Sequence, residues 1–233
     1  MTTAEADLKT LFDAGAHIGY TRARRHPSAS KFLFGTKDRT DIFDLEETAK
    51  RLEAAAAYAS SLSQAGKVVL FVGGKNESAA VVKAAAERVG APFVASRWIG
   101  GTLTNFKGIR KRTERLAKLT QEREAGELDK YTKRERLMID REIEELENRF
   151  GGIAQMTDVP AALFVVDTRH ENIAVTEANQ LGIPVIGLSS SDGDFSQIQY
   201  PIPANDTSIR SVRLVVDAVA DAIQDGRKVT PTA

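Results

Sequence analysis

The chain has 233 residues, 42% of them hydrophobic, which suffices for one ordinary globular core with an appendage and falls short of a second full domain. It contains no cysteine, so disulfides, thiolate metal sites and thiol redox chemistry are excluded. Its 32 basic and 32 acidic residues cancel, and any affinity for a polyanion has to come from how those charges are distributed.

In chain order, Met1 to Leu8 carries Glu5 and Asp7 and no apolar segment, unlike a targeting peptide. The longest aliphatic runs are strand-sized, far below the roughly 20 residues of a membrane span. A soluble cytoplasmic protein without membrane partners is expected. From Arg22 to Arg39, six basic residues (Arg22, Arg24, Arg25, Lys31, Lys37, Arg39) face only Asp38, a local balance of +5. Pro27 and Ser28 break any helix here, so Arg22 to Pro27 reads as a mobile basic loop. It suits an RNA groove, or is simply a flexible exposed segment. Short strands are expected at Lys31 to Phe34 and Asp41 to Asp44.

Asp44 with Glu47 opens an Ala-rich helix to about Gln64, Val68 to Val72 is an apolar strand, Asn76 opens a helix to Val89, and Pro92 to Ala95 is a second strand. The turn Gly73, Gly74, Lys75 invites comparison with a phosphate-binding loop. Val69 and Asn76 stand where that motif needs Gly and Ser or Thr, so an ordinary strand-to-helix turn is the reading. Arg97, Trp98, Ile99, Gly100, Gly101, Thr102 follows. Its Trp98, the only tryptophan, reads first as core or hinge packing and second as a base-stacking group, and Thr102 and Thr104 are placed to cap the next helix.

From about Thr102 to Phe150 no strand pattern appears and charge is dense. Ile109, Thr113 and Leu116 are spaced by four and three, and Ile139, Ile143, Leu146 and Phe150 by four, three and four. With Gly126 between them and a capping box at Thr132 and Glu135, these stretches predict an antiparallel coiled-coil hairpin whose arms reach roughly 27 Å. Between Lys107 and Lys118, six basic residues face only Glu114, again +5. Lys107, Lys111, Arg115 and Lys118 lie within about 80° of one another, opposite the apolar seam. Such a stripe is either a solvated face or a phosphate-tracking surface, and the scarcity of acids along it favours the second.

Leu163 to Asp167 and Pro184 to Leu188 are apolar strands. Between them Thr168 with Glu171 forms a capping box for a helix to Leu181, and Gly182 supplies its C-terminal cap. Ser189, Ser190, Ser191, Asp192, Gly193, Asp194 reads as a polar turn, Asn205 or Asp206 opens the last helix to about Gln224, and Val229 to Ala233 is a frayed tail. Residues 158–233 hold five basic and ten acidic residues, so the molecule is basic at one end and acidic at another.

Strands that are apolar throughout, alternating with helices, indicate an α/β domain built on a parallel sheet covered on both faces. Residues 1–101 and 151–233 are its two parts, and 102–150 is the hairpin insertion. His17, His26 and His170 lack metal-ligand spacing, no set of nucleophile, base and oxyanion donor stands out, and neither a metal, a cofactor nor a small-molecule substrate is expected.

Taken together, Leu8 to Gly19, which ends Ala14, Gly15, Ala16, His17, Ile18, Gly19, the stretch Arg97 to Asn105, and Pro160 to Asp167 with Glu171, Glu177 and Gly182, Ile183, Pro184 resemble bacterial small-subunit ribosomal protein family two, collinearly over about residues 8 to 228. The resemblance implies a flavodoxin-like α/β fold with a protruding coiled-coil hairpin and a non-enzymatic structural role. It also implies small-subunit rRNA and neighbouring ribosomal proteins as partners, and support for docking small-subunit ribosomal protein one. Tyr20 stands where many members carry His, and Ser189 to Asp194 lacks the family's Asp-x-Asn, so no metal contact carries over. Candidate RNA-binding residues are Arg22, Arg24, Arg25, Lys31, Arg97, Lys107, Arg110, Lys111, Arg115 and Lys118. Two other classes remain: a nucleotide-binding α/β enzyme using Gly73, Lys75, Ser189 and Asp192, and a protein-binding adaptor acting through the hairpin and the acidic C-terminal region.

Overall fold

The computed structural model describes residues 8–229. The readings of the first residues and of the terminal tail fall mainly on residues 1–7 and 230–233, outside those described.

The chain begins with α1 (Leu8–Asp13), followed by β1 (Ile18–Thr21), β2 (Leu33–Lys37) and β3 (Thr40–Phe43), which form an antiparallel sheet in the order β1-β3-β2. The Arg22 to Pro27 stretch is not the loose loop expected from Pro27, Ser28 and its charge: 3-10 turns at Arg22–Arg24 and Pro27–Phe32 shape it. Ala29 and Phe32 are buried and anchor it in the core. The first short strand therefore starts at Leu33, because Lys31 and Phe32 belong to the second of those turns.

Next come α2 (Leu45–Gln64), β4 (Val69–Val72), α3 (Asn76–Arg88), β5 (Phe93–Val94), α4 (Phe106–Glu124), α5 (Lys133–Phe150), β6 (Ala162–Val166), α6 (Asn172–Gln180), β7 (Val185–Ser189), β8 (Tyr200–Pro203) and α7 (Ile209–Val229). The five later strands are parallel, in the order β5-β4-β6-β7-β8. This is the flavodoxin-like order, with its reversal between β4 and β6. Successive strand residues point to opposite faces. Val69 and Phe71 of β4, with Phe164 of β6, pack toward α2, α3 and α7, while Leu70, Val72, Leu163 and Val165 pack toward α6 and the α4–α5 root. Both faces are covered, which is why these strands are apolar throughout.

Helices α4 and α5 fold back on each other around Gly126, which is left-handed (φ 72°) and so suits glycine. Ile109, Leu116 and Leu119 join Ile143, Leu146 and Phe150 in the core cluster on the α6 face of the sheet. The Thr132–Glu135 capping box forms in both directions.

Two other capping expectations are corrected. Thr168 does not open α6: its hydroxyl donates to Ser189 Oγ, and the helix starts at Asn172 after an uncapped Glu171. Thr102 and Thr104 do not cap α4, because Asn105 holds that position without a side-chain bond and the threonines are drawn inward.

Candidate nucleic-acid interface

One carboxylate at the root of the α4–α5 pair organises the segment between β5 and α4. Glu177 of α6 is buried, and its Oε1 accepts from Trp98 Nε1 (3.1 Å) and Gly101 N (2.7 Å). Its Oε2 accepts from Leu103 N (3.0 Å), Thr104 N (3.1 Å) and Thr104 Oγ1 (3.1 Å). Burial alone would raise this carboxyl. The bonds from Thr104, Gly101, Trp98 and Leu103 outweigh it and hold the group below its usual range. Trp98 is thus a core residue, 4% exposed, with its N–H satisfied, and base stacking by its ring is ruled out. Gly101 has φ 88°, the left-handed backbone that lets its N–H reach the same oxygen as the indole.

Beyond that root the basic residues of α4 divide. Arg115 is bound by Glu142 of α5 (3.1 Å), Arg110 by Glu114 (3.2 Å), and Lys118 lies 3.8 Å from Glu122. Lys107 and Lys111 are exposed, one turn apart, and form no ion pair with a described residue; exposed Arg97 at the root is in the same position. The stripe is therefore present, with its two root-side lysines open and its outer members shared with acids.

Two of the six basic residues in the N-terminal run are held by buried carboxylates. Arg25 donates through Nε to Asp41 Oδ2 (2.8 Å), through Nη2 to Asp41 Oδ1, and to Thr36 Oγ1 (2.7 Å). Asp41 is fully buried, and the Arg25 bond holds its carboxyl below the usual range against the opposing effect of burial. Arg24 reaches Asp192 Oδ2 (3.0 Å) and lies 4.2 Å from the centre of the Tyr20 ring. Lys31 and Arg22 are exposed, with Lys31 over the Phe32 ring.

The carboxyl edge of the parallel sheet is where this fold places ligands. Here the chain fills it with its own side chains. Gly74 N donates to Glu171 Oε1 (3.0 Å), and Lys75 Nζ lies 3.1 Å from Asp167 Oδ2, so carboxylates occupy the places a phosphate would take. A Cβ on Gly74 would strike the Ser96 carbonyl. Asp167 sits at φ 63°, a strained position for a non-glycine residue, stabilised by the bond that His170 N donates to Oδ1 (2.9 Å). The serines after β7 are equally engaged: Ser190 N donates to Asp206 Oδ2 and Ser191 Oγ accepts from Tyr20 N. Asp206 is buried with its Oδ1 unpartnered; burial, then the charge of Asp167, pushes its carboxyl up to about 7.

Glu177 and Arg169 are organising residues to which the sequence assigned no role of their own, and Asp192, named there only for a nucleotide site, instead holds Arg24 and Arg169. Glu177 left a signal, since an acid stands beside Ala174 and Ala178 on the buried side of α6. Arg169 left none, and nothing local tied Asp192 to arginines, because these partners come from remote segments.

Among the described residues no helix is long and apolar enough to cross a membrane. The profile of the family described as ribosomal protein S2 matches residues 11–226. The chain is 42% identical over 218 residues, 94% of it and 87% of the relative, to the small ribosomal subunit protein uS2 of Marinobacter nauticus. It is 40% identical over 225 residues to that of Salinibacter ruber, covering 97% of this chain and 70% of the relative, and 39% identical over 225 residues to that of Coprothermobacter proteolyticus, covering 97% and 84%. A family of structural rather than catalytic proteins agrees with a ligand edge closed by the chain's own carboxylates, and the chain belongs to the ribosomal protein S2 family.

Proposed function

We propose that this chain binds small-subunit rRNA as a structural constituent of the small ribosomal subunit, with its contacts concentrated at the base of α4. The observation that carries the reading is the open pair Lys107 and Lys111 in the first turns of α4, with open Arg97 in the segment that leads into it, which Glu177 fixes to the domain. Cations without a protein partner meet a phosphate without first giving up an anion, and each contact releases counterions. Of the other candidates, Arg22, Lys31, Arg110, Arg115 and Lys118 are exposed and serve as supporting contacts, while Arg25 holds the fold.

The test is binding of the intact protein to small-subunit rRNA across a salt series. A double charge reversal, Lys107→Glu with Lys111→Glu, should weaken binding by at least about tenfold near 0.1 M salt and flatten the dependence of log K on log salt. Binding that ignores salt would defeat the reading. Support for docking small-subunit ribosomal protein one is proposed as well, on the strength of the family resemblance. Particles assembled without this chain should then retain less of that protein.

A further inference from the structure

We propose that Arg24 and Arg169 form a single two-guanidinium site for an RNA backbone phosphate. The proposal rests on the rRNA-binding reading and adds to it a residue from the acidic third of the chain.

Arg24 lies in the 3-10 turn after β1, Arg169 follows β6, and Asp192 follows β7. Arg24 Nη2 and Arg169 Nη1 approach the same oxygen, Asp192 Oδ2, at 3.0 and 2.6 Å. The two guanidinium side chains are each 52% exposed, whereas the carboxylate between them is 3% exposed. An anion approaching from solvent therefore meets two cations and not the acid that holds them. One negative charge shared between two positive ones leaves a local excess of +1. Each guanidinium has five N–H donors and gives one to Asp192, and no other described side chain or carbonyl takes the rest.

The pair is also held in place. The Arg24 guanidinium rests on the Tyr20 ring, and Tyr20 N is bonded to Ser191 Oγ (2.9 Å), next to Asp192. Neighbouring carboxylates are engaged elsewhere: Asp167 by Lys75, Asp194 by Ser196 and Gln197, and Asp206, its carboxyl raised to about 7, by Ser190 N. Two fixed planar forks side by side suit a phosphodiester, whose two free oxygens each accept several hydrogen bonds. A nucleotide is the poorer occupant, because Glu171 and Asp167 already fill the turn after β4.

The experiment compares Arg24→Ala, Arg169→Ala, their double variant and Arg169→Lys with the parent chain in salt titrations against intact small-subunit rRNA. Circular dichroism and thermal melting confirm that each folds. Each alanine variant should lose about fivefold to tenfold in affinity near 0.1 M salt and lower the salt slope by about 0.7 to 0.9. Because both arginines grip one phosphate, the double variant should lose less than the product of the single losses. Arg169→Lys should keep the slope and lose part of the affinity, since a point charge replaces a fork. If Arg169→Ala leaves affinity and slope unchanged while Lys107→Glu with Lys111→Glu lowers both, the fork is wrong and the rRNA reading stands. If no variant matters and binding ignores salt, both fail. A saturable thermal shift with inorganic phosphate or ATP alone, lost in Arg169→Ala, would reassign the fork to a small phosphate ligand and overturn RNA as its occupant.

Discussion

Arg22 to Arg39 and Lys107 to Lys118 carry the same local charge, +5, yet the fold treats them in opposite ways. In the first, remote carboxylates reach in: Asp41 takes Arg25 and Asp192 takes Arg24, and both acids are buried. In the second, the acids come from α4 itself or from α5, and both members of the Arg110–Glu114 and Arg115–Glu142 pairs are well exposed. Arg25 cannot leave fully buried Asp41 without stranding a charge, so that pair fixes structure, whereas Arg24 shares Asp192 with Arg169 and stays half open. An ion pair open to water is worth little and yields readily to another anion. Two equal runs of charge thus differ in whether the acids that pair with them are buried or open to water.

The largest effect is expected on the buried side, beneath the first region. Asp206 lies under the loop that carries Asp192 and holds its proton up to about pH 7. A carboxyl whose folded pKa is raised stabilises the protein fully below its unfolded value near 4, and that contribution is lost as pH rises through 7. The loss is on the order of 4 kcal/mol at about 1.4 kcal/mol per unit. Urea unfolding of the parent chain and of Asp206→Asn between pH 4.5 and 8 should show the gap between them changing across this window. A constant gap would mean that Asp206 is ionised throughout. Next in size, Arg25→Ala strands the Asp41 carboxylate in the core. It should cost about 3 kcal/mol, the low end for a broken buried pair because Arg25 is itself partly exposed, or on the order of 6 to 12 °C in the melting midpoint. A shift no larger than that of an exposed pair would erase the distinction between the two regions.

How much of this could be read from the chain follows from the range of each interaction. Val69 to Val72 and Ala162 to Val166 are buried along their whole length, so composition alone marks them as central parallel strands. Strand β8 escaped because Pro201 and Pro203 interrupt its pattern, which an edge strand tolerates since its outer side needs no N–H. Strand β1 escaped because Ile18–Thr21 is short and broken by Gly19. The apolar spacing on α4 and α5 was legible because its period is local to each helix. Which arginines remain open was not, because that depends on acids far along the chain: Asp192 lies 168 residues from Arg24. Glu177 shows the same limit, since its donors sit 73 to 79 residues away.

The smallest effect is expected at the exposed pair on α4 and α5. Glu142→Gln removes the charge that holds Arg115 and keeps the shape of the side chain. Both partners are nearly half exposed, so the pair contributes at most about 1 kcal/mol and the melting midpoint should barely move. RNA binding should respond in the other direction. With Glu142 neutral, Arg115 no longer has to give up an anion to meet a phosphate, so affinity should rise about twofold to fivefold and the salt slope should steepen by up to about 0.9. Asp41→Asn, made at the buried pair, should give the contrasting result: stability falls, and binding does not gain because Arg25, 23% exposed, stays bonded to Thr36 against β2 and β3. If Glu142→Gln also leaves binding untouched, Arg115 faces solvent in the bound state, and the basic face of α4 ends at Lys111.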